Sequence, residues 1–132
     1  MTDLIEEFVG LRHWTVVGAS QQRHKFGNII LRNLHAAGYE VNGVHPDGVD
    51  IDGVPVYPSL SALPALPEVV NLVVPPAVTM DVVQECHELG LTRVWMQPGA
   101  ESRAAVAFCR AHDIAVIAYG PCALVERRVW TS

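Results

Sequence analysis

Apolar residues fall along this chain in two alternating rhythms. Residues 15–18, just after Trp14, form a short valine-rich run, and residues 69–74 and 115–118 have the same character. Continuous apolar runs of this length read as buried parallel strands. Between the first two, Phe26, Ile29, Ile30, Leu34 and Ala37 recur at helical spacing, with Gly38 where a helix commonly terminates. Val82, Val83, Cys86 and Leu89 make a second such stripe, ended by Gly90, and Ala104, Ala105, Phe108 and Cys109 make a third. Further strands are expected at residues 39–44 and 93–96, with a short one at 54–57 after the turn-forming pair Asp52 and Gly53. Strand and helix periods that alternate in this way predict a doubly wound α/β domain. Ligands of such domains bind beyond the carboxyl ends of the strands, where the winding reverses. With the 69–74 strand beside the first, Ala19 and Ser20 on one side and Pro75 and Pro76 on the other are expected to face one crevice.

The length of 132 residues predicts one domain over residues 1–132. The proline-rich piece at 58–67 then reads as a connection within that domain rather than a linker. No apolar run is long enough to cross a bilayer, and the chain has no charged start followed by a cleavage site, so the expectation is a cytoplasmic protein without membrane contact. A formal net charge of -5, with no run of lysine or arginine, argues against a nucleic-acid partner, because phosphate binding on that scale needs a basic face. Cys86, Cys109 and Cys122 are odd in number and far apart, which excludes a disulfide framework and the Cys-x-x-Cys spacing of zinc or redox sites. No His-Glu-x-x-His pattern is present, and the neighbours Cys86 and His87 project from different helical faces, so no metal site is expected.

The chemistry that remains lies in the stretch VVGASQQRHKFGN, residues 16–28. Gly18 permits a sharp turn at the end of the first strand, and the helix starting near Phe26 points unpaired amides and a partial positive charge back at the loop, a setting suited to phosphate. Three glycines in six positions mark the usual dinucleotide loop, whereas here a longer polar insertion separates Gly18 from Gly27. The second strand ends in Val44, His45 and Pro46, with no acidic residue well placed for ribose hydroxyls, and no Gly-Lys-Ser/Thr ending marks a nucleotide-hydrolysing loop. No carboxylate pair, nucleophile elbow or Ser-His-Asp arrangement appears by spacing. The residues therefore point to a binding site without visible catalysis. An oxidoreductase using a nucleotide cofactor in the same crevice, or an interaction module with a vestigial site, remain the alternatives. Valine at position 18 is expected to lower binding more than folding, by blocking the approach of a pyrophosphate.

Several ordered segments carry a family resemblance: VVGAS followed by KFGN, then HPDGVDIDGVPVYPSL, LVVPPAVTMDVVQE, VWMQPGAES and a terminal GPCALVERR. From about Trp14 to Arg128 the chain resembles the small CoA-binding domain proteins and the N-terminal domain of the succinyl-CoA synthetase α subunit. The resemblance implies a Rossmann-like fold that holds the adenosine diphosphate part of CoA or an acyl-CoA. It implies a phosphate-facing loop of Gly18, Ala19, Ser20, Lys25, Phe26 and Gly27. Val44, His45 and Pro46 would border the adenine side, and Val74, Pro75, Pro76 and Val78 the opposite wall. Met96, Gln97 and Gly99 would lie at the next strand end. Relatives often have lysine where this chain has Asp47, and a carboxylate there repels the extra phosphate of CoA, with Arg23, His24 and Lys25 as compensating cations.

Four further features have a ligand reading beside a plainer one. Cys122, just past the last strand, is positioned by sequence for a mixed disulfide with a pantetheine thiol, but a free cysteine is usually a packing residue. Trp95 is a base-stacking surface or a core aromatic, and His45 a phosphate contact or an ordinary loop histidine. Glu126, Arg127, Arg128 and Trp130 form a tail that covers a sheet edge, meets a second subunit or is simply solvated.

Overall fold

The computed structural model of the protein describes residues 2–120, and within them the chain runs α1 (Thr2–Gly10), β1 (His13–Val17), α2 (Phe26–Ala36), β2 (Glu40–Val44), β3 (Val56–Tyr57), a 3-10 turn (Leu60–Ala62), β4 (Val69–Leu72), α3 (Pro76–Leu89), β5 (Arg93–Met96), α4 (Arg103–Ala111) and β6 (Ala115–Ile117). All six strands pair in parallel, in the order β3-β2-β1-β4-β5-β6. This is a single Rossmann-like α/β domain, and the order reverses between β1 and β4.

Alternation of side chains along the strands builds a separate core on each face. Trp14, Val16, Val69, Trp95 and Ile117 pack with Phe8 and Val9 of α1 and Ile30, Leu31 and Leu34 of α2. Val17, Val44, Val70, Leu72, Val94 and Met96 face the other way, against Val82, Val83 and Cys86 of α3 and Ala105, Val106 and Cys109 of α4. Both described cysteines are thus core residues. Burial pushes the Cys86 thiol up to about 12 and the Cys109 thiol up to about 11, which keeps both in the unreactive neutral form at neutral pH.

The six strands and the three later helices lie where the apolar rhythms put them, with ends shifted by a few residues, and α3 begins earlier, at Pro76. Proline suits the first helical turn because its missing N–H has no partner to lose there. Helix α1 is an addition to the sequence reading. Its signal was present in Leu4, Ile5, Phe8 and Val9, a helical stripe ended by Gly10. Asp52 and Gly53 both have positive φ, 48° and 82°, and turn the chain between the bridged residues Ile51 and Val54. Cys122, Glu126, Arg127, Arg128 and Trp130 lie outside the described residues.

Candidate functional site

A cleft of about 700 Å³ opens at the carboxyl ends of β1, β2 and β4, at the point where the strand order reverses. Its volume falls within the range of roughly 300–1,000 Å³ typical of small-molecule sites. The floor is Val17 and Val44, paired residues at the ends of β1 and β2. One wall is the β1–α2 loop, with Gly18, Ser20, Gln22, Lys25, Phe26 and Gly27. The opposite wall runs from Val73, Val74 and Pro75 down α3 through Val78, Val82 and Glu85, and Pro58, Ser59 and Leu60 close the third side. A smaller cavity of about 270 Å³ continues past Phe26, Val74 and Pro75 toward Pro98 and Gly99.

Two glycines let the loop lie this close to the sheet. Gly18 has φ 101°, and a Cβ there would stand 2.0 Å from the Val73 carbonyl oxygen. A Cβ on Gly27 would in turn stand 2.0 Å from the Gly18 carbonyl oxygen. The loop is braced from below by Asn28, which is fully buried. Its amide donates to the Ser20 carbonyl at 2.8 Å, and its oxygen accepts from Arg32 Nε at 2.7 Å. This arrangement satisfies a buried polar side chain and fixes Ser20 relative to α2 in one step.

The loop amides are not equally available. The Val44 carbonyl accepts from both Gly18 N–H, at 2.8 Å, and Ala19 N–H, at 3.2 Å. By contrast, α2 starts without any side-chain cap, which leaves its first-turn amides without a side-chain acceptor where Phe26 and Gly27 line the cleft. Helix α3 also lacks a side-chain cap, but Pro76 has no N–H, and the Pro75 carbonyl already accepts from Val78 and Thr79. An anion in the cleft is therefore better served at α2. Lys25 is exposed at that end, and its ammonium makes no ion pair among the described residues.

Of the residues expected to hold the ligand, Gly18, Ser20, Lys25, Phe26, Gly27, Val44, His45, Pro46, Val74, Pro75 and Val78 come together around the cleft. Ala19 is instead turned into the core opposite Gly43, where a Cβ on Gly43 would fall 2.6 Å from its own. Met96 and Gln97 are fully buried, Met96 in the core on the α3 side of the sheet and Gln97 as the first residue of the β5–α4 connection. None of these three offers side-chain surface to a ligand. Pro76 is exposed at the start of α3 outside the lining, and Gly99 lies at the smaller cavity. Trp95 is fully buried edge-on to Phe8 of α1, the plainer of its two readings. Arg23 is held away from the cleft by Asp52, at 2.9 and 3.1 Å, and this pairing lowers the Asp52 carboxyl below its ordinary range.

The sequence reading missed Val17, Gln22, Pro58, Ser59, Leu60, Val73, Val82 and Glu85. Val82 and Glu85 follow Val78 at intervals of four and three, one face of α3, so helical spacing carried a signal for them. Leu60 and its neighbours had none, because a short connection reaches the cleft only through the fold. Among the described residues, no group of three His, Cys, Asp or Glu side chains is placed to hold a metal ion. No described helix is long and apolar enough to cross a membrane.

Comparison with known proteins agrees with this architecture. A conserved hypothetical protein of Pyrococcus furiosus shares 39% sequence identity, with a TM-score of 0.82 over 87% of this chain and 98% of that one. A hypothetical protein of Pyrococcus horikoshii OT3 superimposes with a TM-score of 0.91 and 28% identity, covering 100% of this chain and 93% of that one. The ADP-forming acetate–CoA ligase I of Archaeoglobus fulgidus is 38% identical over 71 residues, which is 54% of this chain and only 10% of the ligase. Residues 12–128, nearly the whole chain, match the family described as CoA binding domain. The chain belongs to the CoA binding domain family.

Proposed function

We propose that this chain binds CoA or an acyl-CoA as a stand-alone module, with the adenosine diphosphate part in the larger cleft and no catalysis of its own. The observation that carries the reading is the conjunction, at the sheet switch point, of a helix start with no side-chain cap, a Lys25 that makes no ion pair among the described residues, and a cleft whose remaining walls are largely apolar. The phosphates would meet Lys25 and the first turn of α2, where charge and amide donors coincide. The base would lie toward the exposed side chains of Val78 and Pro58. The smaller cavity past Phe26 and Gly99 would pass the pantetheine arm outward. Membership of the CoA binding domain family supports the ligand, and the Archaeoglobus ligase, named for an ADP-forming acetate–CoA reaction, supports the broader link to acyl-CoA chemistry.

Calorimetry of ligand-free protein with CoA, acetyl-CoA, ADP and NAD tests this directly. Saturable binding of CoA, tighter than that of NAD, is expected, and Lys25→Ala should weaken it about tenfold by removing one charge-assisted phosphate contact. No saturable heat with CoA or acetyl-CoA at millimolar concentration would overturn the proposal. Turnover of a reduced nicotinamide with small carbonyl compounds would instead favour an oxidoreductase.

Asp47 bears on the extra phosphate of CoA. Its side chain is 62% exposed and stands 3.5 Å from His45 Nδ1, outside the cleft lining but next to Pro46. Exposure and salt screening limit its repulsion. Asp47→Lys should therefore tighten CoA only about threefold at low salt, and dephospho-CoA less. Equal gains for the two ligands would place Asp47 away from that phosphate.

A further inference from the structure

Among the described residues, Glu85 is the only acidic one in the cleft lining and the one whose chemistry runs against an anionic ligand. It is half-buried, and its carboxylate makes no hydrogen bond or ion pair with another described residue. Nor does its own helix offer a cation: the positions three and four residues away on either side are Val82, Asp81, Glu88 and Leu89. The helix also separates Glu85 from the phosphate end. It lies nine residues beyond Pro76, roughly 13 Å along α3. The lining thus carries an ammonium and helix amides at the start of α2 and a carboxylate farther along α3.

The rest of the lining is largely apolar. Leu60 and Val82 are buried together in one core cluster, and the exposed apolar lining includes Pro58, Pro75 and Val78. Exposed apolar side chains of this kind accept the faces of a flat heteroaromatic ring, leaving the ring edge to polar groups of the lining. A carboxylate only accepts hydrogen bonds, so it selects an edge that donates. Adenine presents an exocyclic amine there, whereas hypoxanthine and guanine present a carbonyl oxygen at the same ring position.

We infer that Glu85 is a specificity-determining residue that accepts a hydrogen bond from the exocyclic amine of an adenine base seated on the apolar cleft lining beside α3. The inference rests on the cleft being the CoA site proposed above, and it assigns the base recognition that the family relationship leaves open.

The test is calorimetry of the full chain with CoA and with its deaminated analogue, in which hypoxanthine replaces adenine. Wild-type protein is expected to bind CoA at least tenfold more tightly than the analogue, because a carbonyl facing a carboxylate loses a hydrogen bond and gains repulsion. Glu85→Leu should weaken CoA about tenfold and abolish the discrimination. Glu85→Gln, whose amide both accepts and donates, should bind the two ligands with similar affinity. Unchanged thermal unfolding of both variants separates base recognition from damage to α3. Wild-type binding of CoA without discrimination, or discrimination that survives in Glu85→Leu, overturns the role of Glu85 and leaves the CoA site standing. Failure of wild-type protein to bind CoA overturns both.

Discussion

Gly18→Ala is expected to lower stability by about 3 kcal/mol, and the midpoint of thermal unfolding by about 10 °C, even without ligand. Two costs combine at this position. The backbone φ of 101° disfavours any side chain, and the added methyl group would meet the Val73 carbonyl oxygen at 2.0 Å. That oxygen belongs to the backbone just after β4, so it cannot rotate away as a flexible side chain would. The sequence alone suggested that a side chain at Gly18 would harm binding more than folding. The structure adds a folding cost of its own, because the space beside Gly18 is occupied by the protein itself. Gly99→Ala is the matched control: its φ is 95°, but nothing lies within 4 Å of the new Cβ, so only the conformational cost of about 1 kcal/mol is expected. Chemical denaturation of the three proteins checks the comparison. Equal stability of Gly18→Ala and Gly99→Ala would show that the loop does not rest on Val73.

Trp95→Ala is expected to destabilise the fold by about 4 kcal/mol while leaving the CoA affinity of the folded protein within about twofold of wild type. Trp95 has no exposed surface, and its ring lies 6.3 Å from Phe8 and 5.9 Å from Trp14 between ring centroids. Its loss empties the centre of the core between the sheet and α1, on the face opposite α3 and the apolar wall of the cleft. Urea unfolding measures the first effect, and calorimetry under native conditions the second. A large loss of CoA affinity in a folded Trp95→Ala protein would mean that the indole touches the base, and the cleft assigned here would be wrong.

The two predictions mark how far local sequence carries. Valine-rich runs and helical stripes determined the strands, the three later helices and the α/β class, because burial on one or both faces imposes a period that is visible without a fold. The family motifs and the switch-point rule likewise drew Gly18, Lys25, His45, Val74 and Val78 toward one crevice. Met96 and Gln97 show the limit of that reading: residues at a strand end face either a crevice or the core, and only tertiary packing decides which. Leu60 reaches the cleft because the 3-10 turn folds against α3, a contact between distant segments that no local period encodes. Arg23 and Lys25 are adjacent-but-one cations in sequence, and tertiary structure alone separates them, placing Asp52 beside Arg23 and leaving Lys25 at the cleft. Local order determined what each segment is. The three-dimensional contacts decided which of its side chains are left to meet a ligand, because burial and charge pairing depend on partners far away along the chain.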